Sequence, residues 1–164
     1  VTLMAEHLKS INPDKSADYD KNAEAYKKQI EETDTWAKQE TAKIPEERRV
    51  LVTGHDAFNY FGRAYGIEIH ATDFVTSEAD MSAEDIAELA DLIATHKLPV
   101  IFQDNLKNPQ AIQSVKEAVA AKGWQVEVSD KELYADSLGS EAGVDSYLGV
   151  MKHNVTTIVE ALSR

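Results

Sequence analysis

Between residues 50 and 128 four short apolar runs alternate with stretches of helical periodicity, and this alternation limits the fold more than any other feature. The runs cover 50–53, 67–72, 99–102 and 124–128. Each is too short for a buried helix and suits a strand covered on both faces. Between them, 56–65 reads as a helix with Ala57, Tyr60, Phe61 and Ala64 on one face and Gly66 as its stop. Ser82-Ala83-Glu84-Asp85 opens a second helix in the manner of a capping box, followed by Ile86, Leu89, Leu92 and Ile93. Asn108-Pro109 starts a third, which Gly123 ends. A last helix runs from about residue 145 to 162, with Tyr147, Met151, Ile158 and Leu162 inward. Strands joined through helices pair in parallel by right-handed crossovers. The expected fold is α/β: a four-stranded parallel sheet with helices on both faces, preceded by a long connecting helix.

That preceding helix follows Asn12-Pro13-Asp14. Tyr19, Ala23, Tyr26, Ile30, Thr33 and Ala37 make a narrow apolar seam on an otherwise charged surface, and Ile44-Pro45 should end it. With few Leu or Ile in the seam, packing along one lobe is expected rather than a coiled coil. Further upstream, Val1, Met4, Leu8 and Ile11 already form a helical stripe with no capping residue before them. The chain is therefore expected to be cut inside a helix, as a mature fragment or an excised domain. Its opening residues do not read as a secretory leader. The expected organisation is a helical segment over 1–46 and an α/β lobe over 47–164.

Composition removes several functions. With 29 Asp+Glu against 17 Lys+Arg the net charge is −12, which argues against nucleic acid and against a polybasic membrane contact. Absence of cysteine removes disulfides, thiolate zinc sites and Cys nucleophiles. No apolar run approaches the roughly 18 residues of a membrane span. Dinucleotide, Walker, nucleophile-elbow and H-E-x-x-H patterns are all missing; Gly139-Ser140-Glu141-Ala142-Gly143 has the wrong central residue.

In an open parallel sheet, ligands bind beyond the carboxyl ends of the strands. Those ends supply Gly54-His55-Asp56, then Asp73, Glu78 and Asp80, then Gln103-Asp104-Asn105, then Asp130, Glu132 and Asp136. His55 follows a strand and a glycine, where a side chain enters the crevice as a metal ligand or base, or simply bonds its own loop. Asp136 reads as a ligand or a loop cap, Asp56 as a helix N-terminal carboxylate, and Asp104 as a turn residue with Asn105. His96 suits a helix end, His153 should be solvated, His7 borders the first stripe, and His70 should be packed. Trp36 and Trp124 read as packing residues.

The stretch Arg48-Arg49-Val50-Leu51-Val52-Thr53-Gly54-His55-Asp56-Ala57-Phe58-Asn59-Tyr60-Phe61-Gly62-Arg63-Ala64-Tyr65-Gly66 resembles the TroA/ZnuA type of metal-binding lipoproteins. Tyr134-Ala135-Asp136-Ser137-Leu138-Gly139, the segment from Tyr147 to Asn154, and the intervening Thr76 to Asp85 match it as well. The family consists of solute-binding components of zinc and manganese ABC importers, grouped also with cell-adhesion lipoproteins. The resemblance implies two lobes joined by a long rigid helix, with the ion between them. His55 matches the third ligand, His or Glu in different members, and Asp136 the fourth. The first two would lie upstream of Val1, one of them in an Asp-Pro-His type stretch.

The resemblance further implies Zn²⁺ or Mn²⁺ as cargo, delivery to a cognate ABC permease, a lipid anchor, an extracytoplasmic location, no catalysis and no obligate oligomer. Gln103-Asp104-Asn105 departs from the family's Glu-Ser-Ser-like loop. Two other expectations stand beside this one. One is a small α/β hydrolase- or lyase-like enzyme with His55 as base and Asp136 or Asp104 as its orienter. The other is an interaction module built on an exposed seam from Tyr19 to Ala37.

Overall fold

The computed structural model describes residues 1–71, 82–102 and 109–164. Helix α1 (Thr2–Ile11) leads through a 3-10 turn at Pro13–Lys15 into α2 (Ser16–Thr41). Then follow β1 (Val50–Thr53), α3 (Asn59–Tyr65), β2 (Glu68–Ala71), α4 (Ala83–Thr95), β3 (Val100–Ile101), α5 (Pro109–Ala121), β4 (Glu127–Val128) and α6 (Tyr147–Leu162). The first strand pairs with the second, Val50 opposite Glu68, and the third with the fourth, Val100 opposite Glu127, both in parallel. Phe102 N–H donates to the Val52 carbonyl at 2.9 Å, which sets β3 beside β1. The strands thus lie in the order β2-β1-β3-β4, as two laddered pairs bridged at the centre.

Alternation along the strands sorts the core into two layers. Leu51, Val100 and Phe102 face Ala37 and Ile44 of the α2 end, Phe58, and Val155, Ile158 and Leu162 of α6. Val50, Val52 and Ile101 face the other way, against Leu89, Ala90 and Ile93 of α4 and Ile112, Val115 and Val119 of α5. All four residues of β1 are buried, as expected of a central strand lying between two helical layers.

Local chemistry explains the boundaries. Ser82 Oγ accepts from the Asp85 N–H and Asp85 Oδ2 accepts from the Ser82 N–H, both at 3.1 Å, so the capping box forms with Asp in the acidic position. The Arg49 guanidinium donates to the carbonyls of Ile44 and Ala42, at 3.0 and 3.2 Å, and so closes the end of α2. Buried Thr33 and Thr41 turn their hydroxyls back onto the carbonyls four residues earlier, each at 2.8 Å. The Trp124 indole donates to the Leu98 carbonyl at 2.8 Å and its backbone N–H to the Val119 carbonyl at 3.3 Å, so Trp124 belongs to the turn closing α5, and β4 is Glu127–Val128. Helix α3 begins at Asn59 rather than Asp56, because Gly54-His55-Asp56 is spent on a turn.

Periodicity alone does not say which apolar stripes are covered. The α1 stripe is not core: Leu3, Met4 and Ile11 are 82%, 70% and 67% exposed, and Ala5 is the buried residue of that helix. Contact with α2 runs through that small residue and through a Lys9–Asp20 ion pair at 2.6 Å. The α2 seam is buried at Thr33 and Ala37, and only partly covered nearer its start. Its covered end is the surface α6 packs on, so the seam is not exposed along its whole length from Tyr19 to Ala37. Tyr147 points outward, at 51% exposure. Among the described residues no helix is long and apolar enough to cross a membrane.

Helix α3 is also tied to α2 by a polar contact. The Tyr65 hydroxyl donates to Asp34 Oδ1 at 3.2 Å, and Lys38 donates to the other oxygen at 2.7 Å. Burial, with the Asp34 charge adding, pushes the Tyr65 phenol up to about 12. The Lys38 bond holds Asp34 below the usual carboxylate range, against a smaller opposing effect of burial. A phenol raised on folding stabilises fully below free tyrosine's pKa of about 10, and that contribution is lost as the pH climbs towards 12. The expected result is a late tyrosinate absorbance step near pH 12 that Tyr65→Phe removes. The same substitution should cost about 1 kcal/mol at neutral pH by urea unfolding. A titration curve identical in the two proteins would contradict the contact.

Candidate functional site

The turn after β1 is built by its own backbone. The His55 carbonyl accepts from the Ala57 N–H at 3.1 Å and from the Thr53 hydroxyl at 3.0 Å. Thr53 is buried below the turn and Phe58 is buried just after it, so both feet of the loop are fixed in the core. The imidazole stands at the rim, with its side chain 20% exposed.

Asp136 lies on the connection from β4 to α6. Leu133 anchors that segment in the core. The side-chain amide of Asn154, on α6, then holds the next residue at both ends: Oδ1 accepts from the Tyr134 N–H at 3.0 Å and Nδ2 donates to the Tyr134 carbonyl at 2.7 Å. His153 Nε2 donates to the Glu132 carbonyl at 2.8 Å, and its ring stands edge-on to the Tyr134 ring at 5.3 Å. The loop returns through Gly139 N–H to the Val144 carbonyl, 2.7 Å, and enters α6 at Ser146, whose hydroxyl accepts from the Gly149 N–H. The helix cap is therefore Ser146, and Asp136 is not used as one.

These two loops bring the sequence candidates together. His55 Nε2 and Asp136 Oδ2 lie 3.2 Å apart, within hydrogen-bonding distance, although they are 81 positions apart in sequence. Two donors each about 2.0–2.1 Å from a tetrahedral ion stand about 3.3 Å apart, so this spacing is the edge such an ion needs. Imidazole and carboxylate together suit borderline divalent ions. The Asp136 side chain is 81% exposed. That is unlike the buried carboxylate that orients a catalytic histidine, and it weakens the reading of His55 as a general base. Among the described residues no group of three or more His, Cys, Asp and Glu side chains is assembled to hold a metal.

The other candidates have separate roles. Asp56 accepts from the Asn59 side chain next to it. His96 caps α4 and bonds the Glu47 carbonyl at 2.8 Å, joining that helix to the turn before β1. His70 is half-exposed on β2 and pairs with Glu68 at 2.8 Å, where a packed ring was expected. His153 is half-buried and bonded rather than solvated, and His7 is exposed on α1. Asp73, Glu78, Asp80, Gln103, Asp104 and Asn105, with the Asn108 cap, lie outside the described residues. Sequence reading did not find the part played by Asn154. The signal available was an amide at an inward position of an otherwise apolar helix face.

Comparison with known proteins covers the whole of this architecture. The model of the family described as ZnuA, zinc-uptake complex component A, periplasmic, matches residues 1–161. The zinc-binding protein TroA of Treponema pallidum is 38% identical over 166 residues, covering 100% of this chain and 53% of the relative. The manganese-binding lipoprotein MntA of Bacillus subtilis is 36% identical over 143 residues, covering 87% of this chain and 46% of the relative. The solved structure of the Treponema pallidum periplasmic zinc-binding protein TroA superposes with a TM-score of 0.83 at 37% identity, over 99% of this chain and 59% of that one. The chain thus spans about half the length of the curated relatives it matches. With the family's pattern running from the first helix into the last, and more than a third of the aligned residues identical in each of two relatives, the chain belongs to the ZnuA family.

Proposed function

We propose that this chain is the carboxy-terminal part of the solute-binding component of an ABC importer for a divalent transition metal, Zn²⁺ or Mn²⁺. Residues 1–46 belong to the helical region between two lobes, and 47–164 form the metal-binding lobe. His55 and Asp136 are two of the ion's ligands, and the remaining ligands come from the other lobe. The ion is cargo: it leaves for the permease as it arrived, and no bond is made or broken in a substrate. The protein works outside the cytoplasm, in the periplasm or on a lipid anchor at the cell surface. It needs neither nucleic acid nor a second copy of itself.

One observation carries this reading: in a chain of this family, His55 and Asp136 meet at 3.2 Å on the rim where ligands of an open α/β sheet gather. A nitrogen donor beside a carboxylate suits zinc and manganese alike, and relatives named for each ion match this chain. The test is metal affinity of the full-length protein, measured by competition with a chelator. Losing even an outer hydrogen-bond partner weakens a metal site about ten- to a hundredfold. His55→Ala and Asp136→Ala are each expected to reach about a hundredfold for Zn²⁺ and Mn²⁺. The present chain alone should bind weakly, since two protein ligands do not complete a tetrahedral site. Unchanged affinity in both variants would remove the reading.

A further inference from the structure

We infer that Asn154 is a positioning residue for the metal site, acting through the backbone of Tyr134, with His153 as its neighbour in the same task. The inference rests on the reading of Asp136 as a ligand. An 81% exposed carboxylate does not set its own direction; beside its 3.2 Å contact with His55, the chain on either side must do so. On the upstream side that chain is held two residues away. Asn154 fills both hydrogen-bonding groups of Tyr134, as a neighbouring strand would, although β4 has already ended at Val128. His153 fixes the Glu132 carbonyl beyond it and braces the Tyr134 ring. On the far side of the loop, a Cβ on Gly139 would stand 2.5 Å from Val144 Cγ2 and 2.9 Å from the Tyr134 ring, so the returning chain is pressed against the same tyrosine.

The choice of residue supports a task beyond packing. Asn154 is 4% exposed, and its inward neighbours on α6 are Val155, Ile158, Val159 and Leu162. A buried amide contributes nothing over an apolar side chain unless both its ends are bonded. Here both are bonded, and both bonds go to the segment that carries Asp136. Helix α6 is in turn seated on α2 and the sheet. The carboxylate is therefore located by rigid elements rather than by its own loop, the arrangement a preorganised ligand requires.

The experiment measures Zn²⁺ affinity by chelator competition, and thermal unfolding without metal, on the full-length protein. Its variants are Asn154→Leu, Asp136→Ala, the double variant, His153→Leu and His153→Gln. Asn154→Leu is expected to weaken Zn²⁺ binding about tenfold while the protein is folded. In the Asp136→Ala background the same change should weaken binding no further, because a positioning effect vanishes with the group positioned. His153→Leu should lose several-fold. His153→Gln, whose amide nitrogen reaches about where Nε2 stands, should recover most of that loss.

A lower melting temperature with unchanged affinity would overturn the inference, as would an equal loss with and without Asp136. Should Asn154→Leu not fold, the His153 pair decides by the same criterion. If Asp136→Ala itself leaves affinity unchanged, the ligand assignment fails and the inference falls with it. If Asp136→Ala weakens binding and the Asn154 and His153 variants do not, only the inference fails.

Discussion

Ile158→Ala is expected to destabilise the fold by about 4 kcal/mol, in the upper part of the range for emptying a buried isoleucine site. Ile158 is fully buried at the middle of α6, in the cluster that joins Ala37 of α2 to Leu51 and Phe102 at the sheet. A long helix on one side and a sheet on the other leave the site little freedom to collapse, so most of the cavity should persist. Against a total stability of about 5–15 kcal/mol this is a large fraction, worth roughly 8–16 °C in melting temperature for a chain of this size. Ile158→Val, which removes one methylene, should cost about 1 kcal/mol. Urea unfolding with an unchanged slope is the measurement. Equal costs for the two substitutions would mean that the three elements do not close around this side chain as described.

Gly62→Ala sets two effects against each other. Gly62 lies inside α3, where alanine would gain about 1 kcal/mol of helix propensity. It also lies where α3 is pressed onto β2. A Cβ there would sit 2.5 Å from Cγ1 of Ile69 and run into the Ile67 carbonyl oxygen. The carbonyl belongs to backbone entering a strand and cannot give way cheaply. Overpacking of this kind costs about 1–3 kcal/mol, sometimes more, and a backbone obstruction belongs at the top of that range. The expected net effect is a loss of about 2 kcal/mol, opposite in sign to the helix scale. Because Phe58 and the His55 turn lead directly into α3, metal affinity in the full-length protein should fall as well. A variant as stable as the parent would show that α3 stands further off β2 than the geometry has it.

Much of this architecture was legible because burial imposes a visible rhythm. A strand buried on both faces must be a short apolar run, so Val50 to Thr53 announced itself, and so did the capping box at Ser82. Periodicity describes a face without saying what covers it. The helical stripe from Val1 to Ile11 stands exposed, and Tyr147, read as inward, points outward, whereas Ile158 and Leu162 of the same helix are buried. The two strand pairs and their order are set by contacts between distant segments, for which local pattern carries no information. The same holds for the pair of His55 and Asp136. Each residue alone allowed a bland reading, and their separation is too long for spacing to speak; resemblance to a family singled them out. Asn154 and His153 lie in a stretch that carries the family resemblance, but nothing in it announced their role, since a side chain that bonds backbone some twenty residues away has no required partner type.

The way Asp136 is held has a consequence for the order of events during folding. Its loop is fastened to α6, and α6 is packed against α2, near the other end of the chain. The turn bearing His55 carries local bonds to that residue's carbonyl, from Thr53 and Ala57, that can form early. Its counterpart exists only after the last helix has docked, a contact of high sequence separation and therefore a slow one. With α6 undocked the loop of Asp136 loses its fastening, so under the proposed ligand assignment such species should be poor scavengers of metal. Under the proposed ligand assignment, an ion held by the pair would oppose the detachment of α6, and occupancy would become resistance to local opening of that helix.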